Sequence, residues 1–273
     1  MSVLLPSSAS SPSTSSTSPP ATTAFATGGG GRPIPQSLVP PNGPSLALAE
    51  VLGQRPDLVP PPPPPTAPSS SSSSPAPRRR ATALVPGCGL GHDALLLASF
   101  GYDVWGLDVV ERNRSALGRL YPPVREAVGC GSVTWLVADF LADDWSLGLG
   151  FDLIFDYSFL CALSPTHRPR WAKRVAQLMV PGGRLVCLEY PSSKPMSEPG
   201  PPWGVSPELY EALLSAPGEA PAYRPDGTVV ADPIAQPRHD ALHRLGIIKP
   251  TRTHDAGTGP DGSVLDFISV WTR

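Results

Sequence analysis

"ALVPGCGLGHDALLLASFGYDVWGLD", residues 83–108, sets three closely spaced glycines between a short apolar run and a leucine-rich one, and an aspartate closes the apolar run that follows. Residues 81–86 ("ATALVP") are apolar and partly β-branched and end in Pro-Gly, which reads as a buried strand. Residues 91–100 ("GHDALLLASF") carry leucines at helical spacing, and residues 102–108 ("YDVWGLD") read as a second strand. Strand, glycine turn, helix and strand make one βαβ unit, whose two strands run parallel.

The alternation continues outward from that unit. Residues 111–121 read as a helix, 132–139 ("SVTWLVAD") as a third strand and 151–156 ("FDLIFD") as a fourth. A long helix is expected over 165–180, closed by Pro181, Gly182 and Gly183, then a fifth strand over 184–190 and a helix over 206–216. Residues 245–251 and 263–272 are two further strands, separated by the turn material "GTGPDG", and pair naturally as an antiparallel hairpin. This is an α/β fold with a mostly parallel sheet covered by helices on both faces. Ligands of such sheets bind at the carboxyl ends of the strands, so the loops after Pro86, Asp108, Asp139 and Asp156 share one rim.

Before residue 81 the composition changes. Much of the chain's content of 38 prolines among 273 residues lies there, with four glycines at 28–31, six prolines at 60–65 and six serines at 69–74. Such segments bury too little apolar area to offset the entropy of ordering them. The expected organisation is a disordered low-complexity arm over 1–42, a short helix over 43–59 docked on the core, a disordered Pro/Ser-rich insertion over 60–80, and the α/β domain over 81–273. The polyproline run is a stiff spacer that could serve a partner domain.

A formal charge of −2 gives no reason to expect nucleic acid or a membrane surface as partner. No apolar run approaches a membrane span, and the N-terminus lacks the charged lead-in of a secretory signal. Cys88, Cys130, Cys161 and Cys187 are widely spaced, with no CxxC pair, so no metal site or disulfide framework is expected and a reducing cytoplasm suits them.

The glycine turn permits a sharp bend and close approach of a ligand to the main chain. Asp108, about 20 residues on, is placed to accept hydrogen bonds from the ribose hydroxyls of an adenosine. The glycines run Gly-x-Gly-x-Gly, not the Gly-x-Gly-x-x-Gly of dinucleotide sites, and Asp93 follows at once in the helix that a diphosphate would need free. Asp139 is expected at the adenine amino group with Phe140 packed on the ring, and Asp156-Tyr157 beside an amino-acid moiety. Acids around one rim suit a ligand bearing an ammonium and a sulfonium, S-adenosylmethionine, and disfavour a nicotinamide dinucleotide.

"LVPGCGLGHDALLLASFGYDVWGLD", "VADF", "FDLIFDYSFLCAL", "RPRWAKRVAQLMVPGGRLVCLEYP" and "PPWGVSPELYEALL" together resemble the thiol and halide methyltransferases, in the thiopurine S-methyltransferase-like group. The resemblance covers residues 81–273. It implies a Rossmann-like fold with seven strands and methyl transfer to a small soft nucleophile such as a thiol, sulfide or halide. By position it assigns Gly87 and Gly89 to the methionine end, Asp108 to the ribose, Asp139 and Phe140 to the adenine, and Asp156 or Tyr157 to closing the site; Cys88, Gly91 and Val109 complete the expected cofactor-binding set. Tyr157, Phe159, Tyr190 and Trp203 are candidates for the acceptor pocket. No catalytic base is assigned, because small thiols ionise appreciably near neutral pH. His92, His167 and His254 are the candidate proton handlers, and Cys161, in "FLCAL", reads as a core thiol. "DYSF" differs from the Asn/Asp-Pro-Pro-Tyr stretch of enzymes that methylate planar amino groups. That family carries a Trp-Asp-x-Gly stretch before the helix at "PSLALAEVL"; here the position reads "SLVPPNG" and the first tryptophan is Trp105. The alternative reading is therefore a catalytically impaired relative that acts as a binding module.

Overall fold

The computed structural model describes residues 27–28, 32–33, 43–63, 79–111, 129–231 and 238–273. The helix expected over 111–121, almost all of the arm over 1–42 and the serine run of the insertion lie outside the described residues.

Strands β1 (Thr82–Pro86), β2 (Asp103–Asp108), β3 (Val133–Val137), β4 (Phe151–Tyr157), β5 (Met179–Glu189), β6 (His243–Ile248) and β7 (Phe267–Thr272) form one seven-stranded sheet in the order β6-β7-β5-β4-β1-β2-β3. The central ladders are parallel, and β7 is antiparallel to both β5 and β6. The expected hairpin is thus present, with its strands beginning and ending within a few residues of the expected positions. A two-stranded ribbon, Ala222–Tyr223 with Val229–Val230, stands apart.

Helices α1 (Leu46–Gln54) and α2 (His92–Ser99) cover one face, and α3 (Arg168–Leu178) and α4 (Pro207–Ser215) the other. The strand β4 shows how the two faces are sorted. Leu153, Phe155 and Tyr157 enter the cluster with α1 and α2, whereas Phe151 and Ile154 enter the cluster with α3 and α4. The α3 pattern Trp171, Val175, Leu178 gives it one fully apolar stripe against the sheet.

The long helix ends earlier than its sequence suggests. Met179 pairs with Phe151, so β5 begins there, and Val180 precedes a proline and is biased towards extended backbone. Residues 181–183 then form an excursion within β5: the partner of Phe151 is Met179, but that of Leu153 is Arg184.

Helix α1 is fastened at several points. Ser45 caps it, its hydroxyl accepting from Leu48 N at 3.2 Å, and Ala47, Leu48 and Val51 are fully buried. The Ser45 amide donates to the Asp93 carboxylate at 2.7 Å, tying the start of α1 to the first turn of α2. Downstream, Arg184 Nε donates to Leu58 O at 2.8 Å, and Tyr102 donates to Pro60 O at 3.3 Å. Two cysteines, Cys161 and Cys187, are buried, and Cys88 and Cys130 are partly exposed thiols.

Candidate active site

The strands β1 and β4 are neighbours in the sheet, yet the chain leaves β1 for α2 on one face and leaves β4 for α3 on the other. Their carboxyl ends therefore diverge, which opens a crevice at the strand tips.

The glycine turn lies in that crevice. Gly87, Gly89 and Gly91 all have positive φ, at 60°, 54° and 94°. A Cβ on Gly87 would come 2.5 Å from the Phe159 ring, and one on Gly91 would collide with the Trp135 indole. Gly89 differs: among the described residues a Cβ there would meet nothing within 4 Å. The outer glycines let aromatic rings pack onto the turn, and the middle one faces open space.

Asp108, only 3% exposed, underpins the turn. Its Oδ2 accepts from Gly89 N and its Oδ1 from Val110 N, both at 3.0 Å. The carboxylate thereby fixes the glycine turn against the tip of β2. Val109, 37% exposed, flanks it. Cys88 sits inside the turn, its amide donating to Leu107 O at 2.9 Å. Asp139 is exposed after β3, and its Oδ1 accepts from Leu141 N at 2.9 Å. A glycine open on its Cβ side among the described residues, a carboxylate at its base and a second, exposed carboxylate along the rim fit a cationic nucleoside.

Two expected placements are corrected. The Phe140 ring is 1% exposed and packs edge-on against Phe159 at 5.2 Å, so it belongs to the core and not to a base-stacking surface. Asp156 is 1% exposed, on the α3 side of β4, accepting from Trp171 Nε1 at 2.7 Å and Leu160 N at 3.2 Å. Burial pushes its carboxyl up to about 6 despite those donors. Asp156 braces the turn after β4 from behind and does not face the amino-acid end of a ligand. Trp171→Phe should therefore strand a buried carboxylate oxygen and cost about 2 kcal/mol in a denaturant melt; an unchanged midpoint would contradict the bracing role.

Tyr157 points to the opposite face from Asp156. Its ring stacks on His254 at 5.0 Å with 2° between planes, and Tyr190 meets it at 6.3 Å and 68°. Burial, helped by the nearby Asp266 and Asp93 carboxylates, raises the Tyr157 phenol well above its usual range, so it stays neutral. Phe159 lies between the glycine turn and Phe140, and partly buried Trp203 lies on the loop before α4, its amide donating to Cys161 O at 2.9 Å. Burial drives the Cys161 thiol strongly upward, which makes it a core group. His167 is engaged through Nδ1 with the Ser164 hydroxyl at 2.7 Å, and partial burial lowers the His92 imidazole.

Sequence reading missed Asp266 and gave Asp93 the wrong neighbour. Asp266 is 1% exposed, accepts from Thr253 Oγ1 at 2.9 Å and has its carboxyl raised to about 6 by burial. Asp93 faces Ser45 and not the glycine turn, and desolvation raises it to about 6 although part of the residue reaches the surface. The Ser45 cap was a visible signal for α1, but no spacing rule links it to a carboxylate 48 residues away.

Comparison with known proteins places this geometry in context. The family model described as thiopurine S-methyltransferase (TPMT) matches residues 70–230. The chain is 39% identical over 132 residues to "Probable thiol methyltransferase 2" of Arabidopsis thaliana and 40% identical over 132 residues to "Thiocyanate methyltransferase 1" of Brassica oleracea, covering 48% of this chain and 55% of each relative. It is 34% identical over 149 residues to "Thiopurine S-methyltransferase" of Vibrio campbellii, covering 50% of this chain and 66% of that relative. The alignments thus span little more than half the length of the plant relatives. Among solved structures, magnesium protoporphyrin IX methyltransferase of Synechocystis with bound SAH superposes with a TM-score of 0.46 at 14% identity, over 71% of this chain and 74% of that one.

Proposed function

The chain belongs to the thiopurine S-methyltransferase family of S-adenosylmethionine-dependent methyltransferases, and from that premise we propose that it methylates a small soft nucleophile: a thiol, sulfide or halide. The observation that carries this reading is the turn at Gly89, open on its outer side and held from below by Asp108. In the proposed arrangement the residues 87–91 turn receives the amino-acid end of the donor, Asp108 and Val109 its ribose, and Asp139 with the Phe140 backbone its base. S-adenosylmethionine, when bound, supplies a methyl carbon made electrophilic by the sulfonium to which it is attached.

The protein's own part is alignment and exclusion of water. Tyr157 ends β4 and Phe159, two residues on, packs against the turn at Gly87, with Tyr190 and Trp203 on the loops after β5. These groups offer apolar surface that a polarisable sulfur or halide tolerates better than water does. The neutral Tyr157 phenol adds no negative charge that would repel a thiolate.

The test combines binding with product. Calorimetry with S-adenosylhomocysteine should give saturable binding, and headspace analysis should find a methylated thiol or methyl iodide above background. Absence of binding overturns the enzyme reading. Binding without product from thiols, sulfide, thiocyanate or iodide would assign the fold to a binding role instead.

A further inference from the structure

The imidazole of His254 lies on the connection between β6 and β7, beyond the residues 70–230 that the family shares. Its ring is parallel to Tyr157, the last residue of β4, and Tyr190 meets Tyr157 edge-on. The connection is held in place: Thr253 donates to Asp266, Ser192 Oγ donates to Leu265 O at 2.8 Å, and the Thr251 amide and hydroxyl both donate to Glu50 on α1. His254 is therefore positioned at the aromatic end of the rim. Its Nε2 is buried and has no hydrogen-bond partner among the described residues. A buried polar atom left unpaired costs on the order of 1–3 kcal/mol, and such an atom in a native fold calls for an explanation, a catalytic role or a bound group among them.

We propose that His254 takes the proton from a thiol acceptor, which makes S–H compounds the substrate class of this site; the inference rests on the methyltransferase reading above. With its own proton on Nδ1, the ring presents the Nε2 lone pair to the acceptor. The S–H bond breaks heterolytically, both electrons stay on sulfur, and the proton bonds to Nε2 to give an imidazolium that later releases it to water. The resulting thiolate is the nucleophile that methyl transfer requires. Asp255 is the charged group that acts on the ring itself, while Asp266 before β7, Asp93 on α2 and Tyr190 after β5 act on the Tyr157 phenol on which the ring stacks. Burial lowers the imidazole and Asp255 opposes that shift only in part, so the ring starts neutral at physiological pH. The Asp255 carboxylate then favours the imidazolium once the proton has moved.

Iodide needs no deprotonation, so it serves as the internal reference. In His254→Gln the ratio of kcat/KM for 2-mercaptoethanol to that for iodide should fall by about 10²-fold at pH 7. The deficit should close as pH rises towards the thiol's own pKa. The ratio is independent of the folded fraction, and His254→Asn provides a second variant. A readout without turnover uses the protein saturated with S-adenosylhomocysteine and benzyl mercaptan: the ultraviolet absorbance of the bound thiolate should appear at lower pH in wild type than in His254→Gln. An unchanged ratio with superimposable ionisation curves overturns the proposal and leaves His254 a packing partner of Tyr157. A wild-type protein that turns over neither acceptor overturns the methyltransferase reading instead, and the ionisation curves still decide the role of His254.

Discussion

Asp108→Ala is expected to weaken S-adenosylhomocysteine binding by about 10³-fold while the sheet stays folded. The carboxylate accepts from two backbone amides, Gly89 N and Val110 N, and so fixes the glycine turn relative to the tip of β2. The same carboxylate is the group proposed to receive the ribose hydroxyls. Hydrogen bonds to a charged group contribute roughly 1.5–3 kcal/mol each. Losing two ligand bonds and relaxing the turn together amounts to about 4 kcal/mol, or three decades of affinity. The strand itself survives, because β2 is paired along its length with both β1 and β3. Asp108→Asn keeps one acceptor oxygen but loses the charge, and should fall between wild type and alanine. Calorimetry at matched ionic strength reads the series. Wild-type affinity in the alanine variant would move the adenosine away from β2 and with it the proposed site.

The βαβ unit at residues 81–108 was legible because its signals are local: a β-branched run, glycines where φ must be positive, and leucines at helical spacing. The strand at residues 151–157 was legible as a strand but not as a pair of faces. Both faces of a doubly covered sheet are apolar, so "FDLIFDY" carries no polarity contrast to say whether Asp156 or Tyr157 looks into the crevice. Trp171, which claims Asp156, lies 15 residues away on a helix whose register only packing settles. Phe140 misled for a related reason: its place after Asp139 at the rim is right, but its ring turns inward onto Phe159. The connection carrying His254 and Asp266 has no periodicity at all, so only coordinates could bring it over Tyr157. Where α3 stops was likewise a tertiary matter, decided by the pairing of Met179 with Phe151.

Raising the pH from about 5 to 8 is expected to destabilise the protein, and Glu189→Gln to abolish part of that loss. Glu189 is fully buried at the end of β5, and neither carboxylate oxygen has a well-formed hydrogen bond among the described residues. The Ser269 hydroxyl, which accepts from Trp271 Nε1 at 2.9 Å, and the Arg244 guanidinium temper the charge without offsetting the desolvation. Burial therefore raises the Glu189 carboxyl from its ordinary 4.5 to about 7. A carboxyl with a higher pKa in the native state binds more protons there than in the unfolded chain, so unfolding free energy falls as pH rises between those two values. Two to three pH units correspond to about 3 kcal/mol, fully expressed only above the native pKa. Asp93, Asp156 and Asp266, each raised to about 6, act in the same direction but complete most of their effect at lower pH. Glu189 alone continues to about 7, so its removal should flatten the melting profile mainly between pH 6 and 8. Glu189→Gln is then more stable than wild type at pH 8 by up to about 3 kcal/mol, with little difference at pH 5. Thermal melts across that range read the two curves, and parallel profiles would mean that Glu189 finds a partner or solvent that keeps it ionised at no cost.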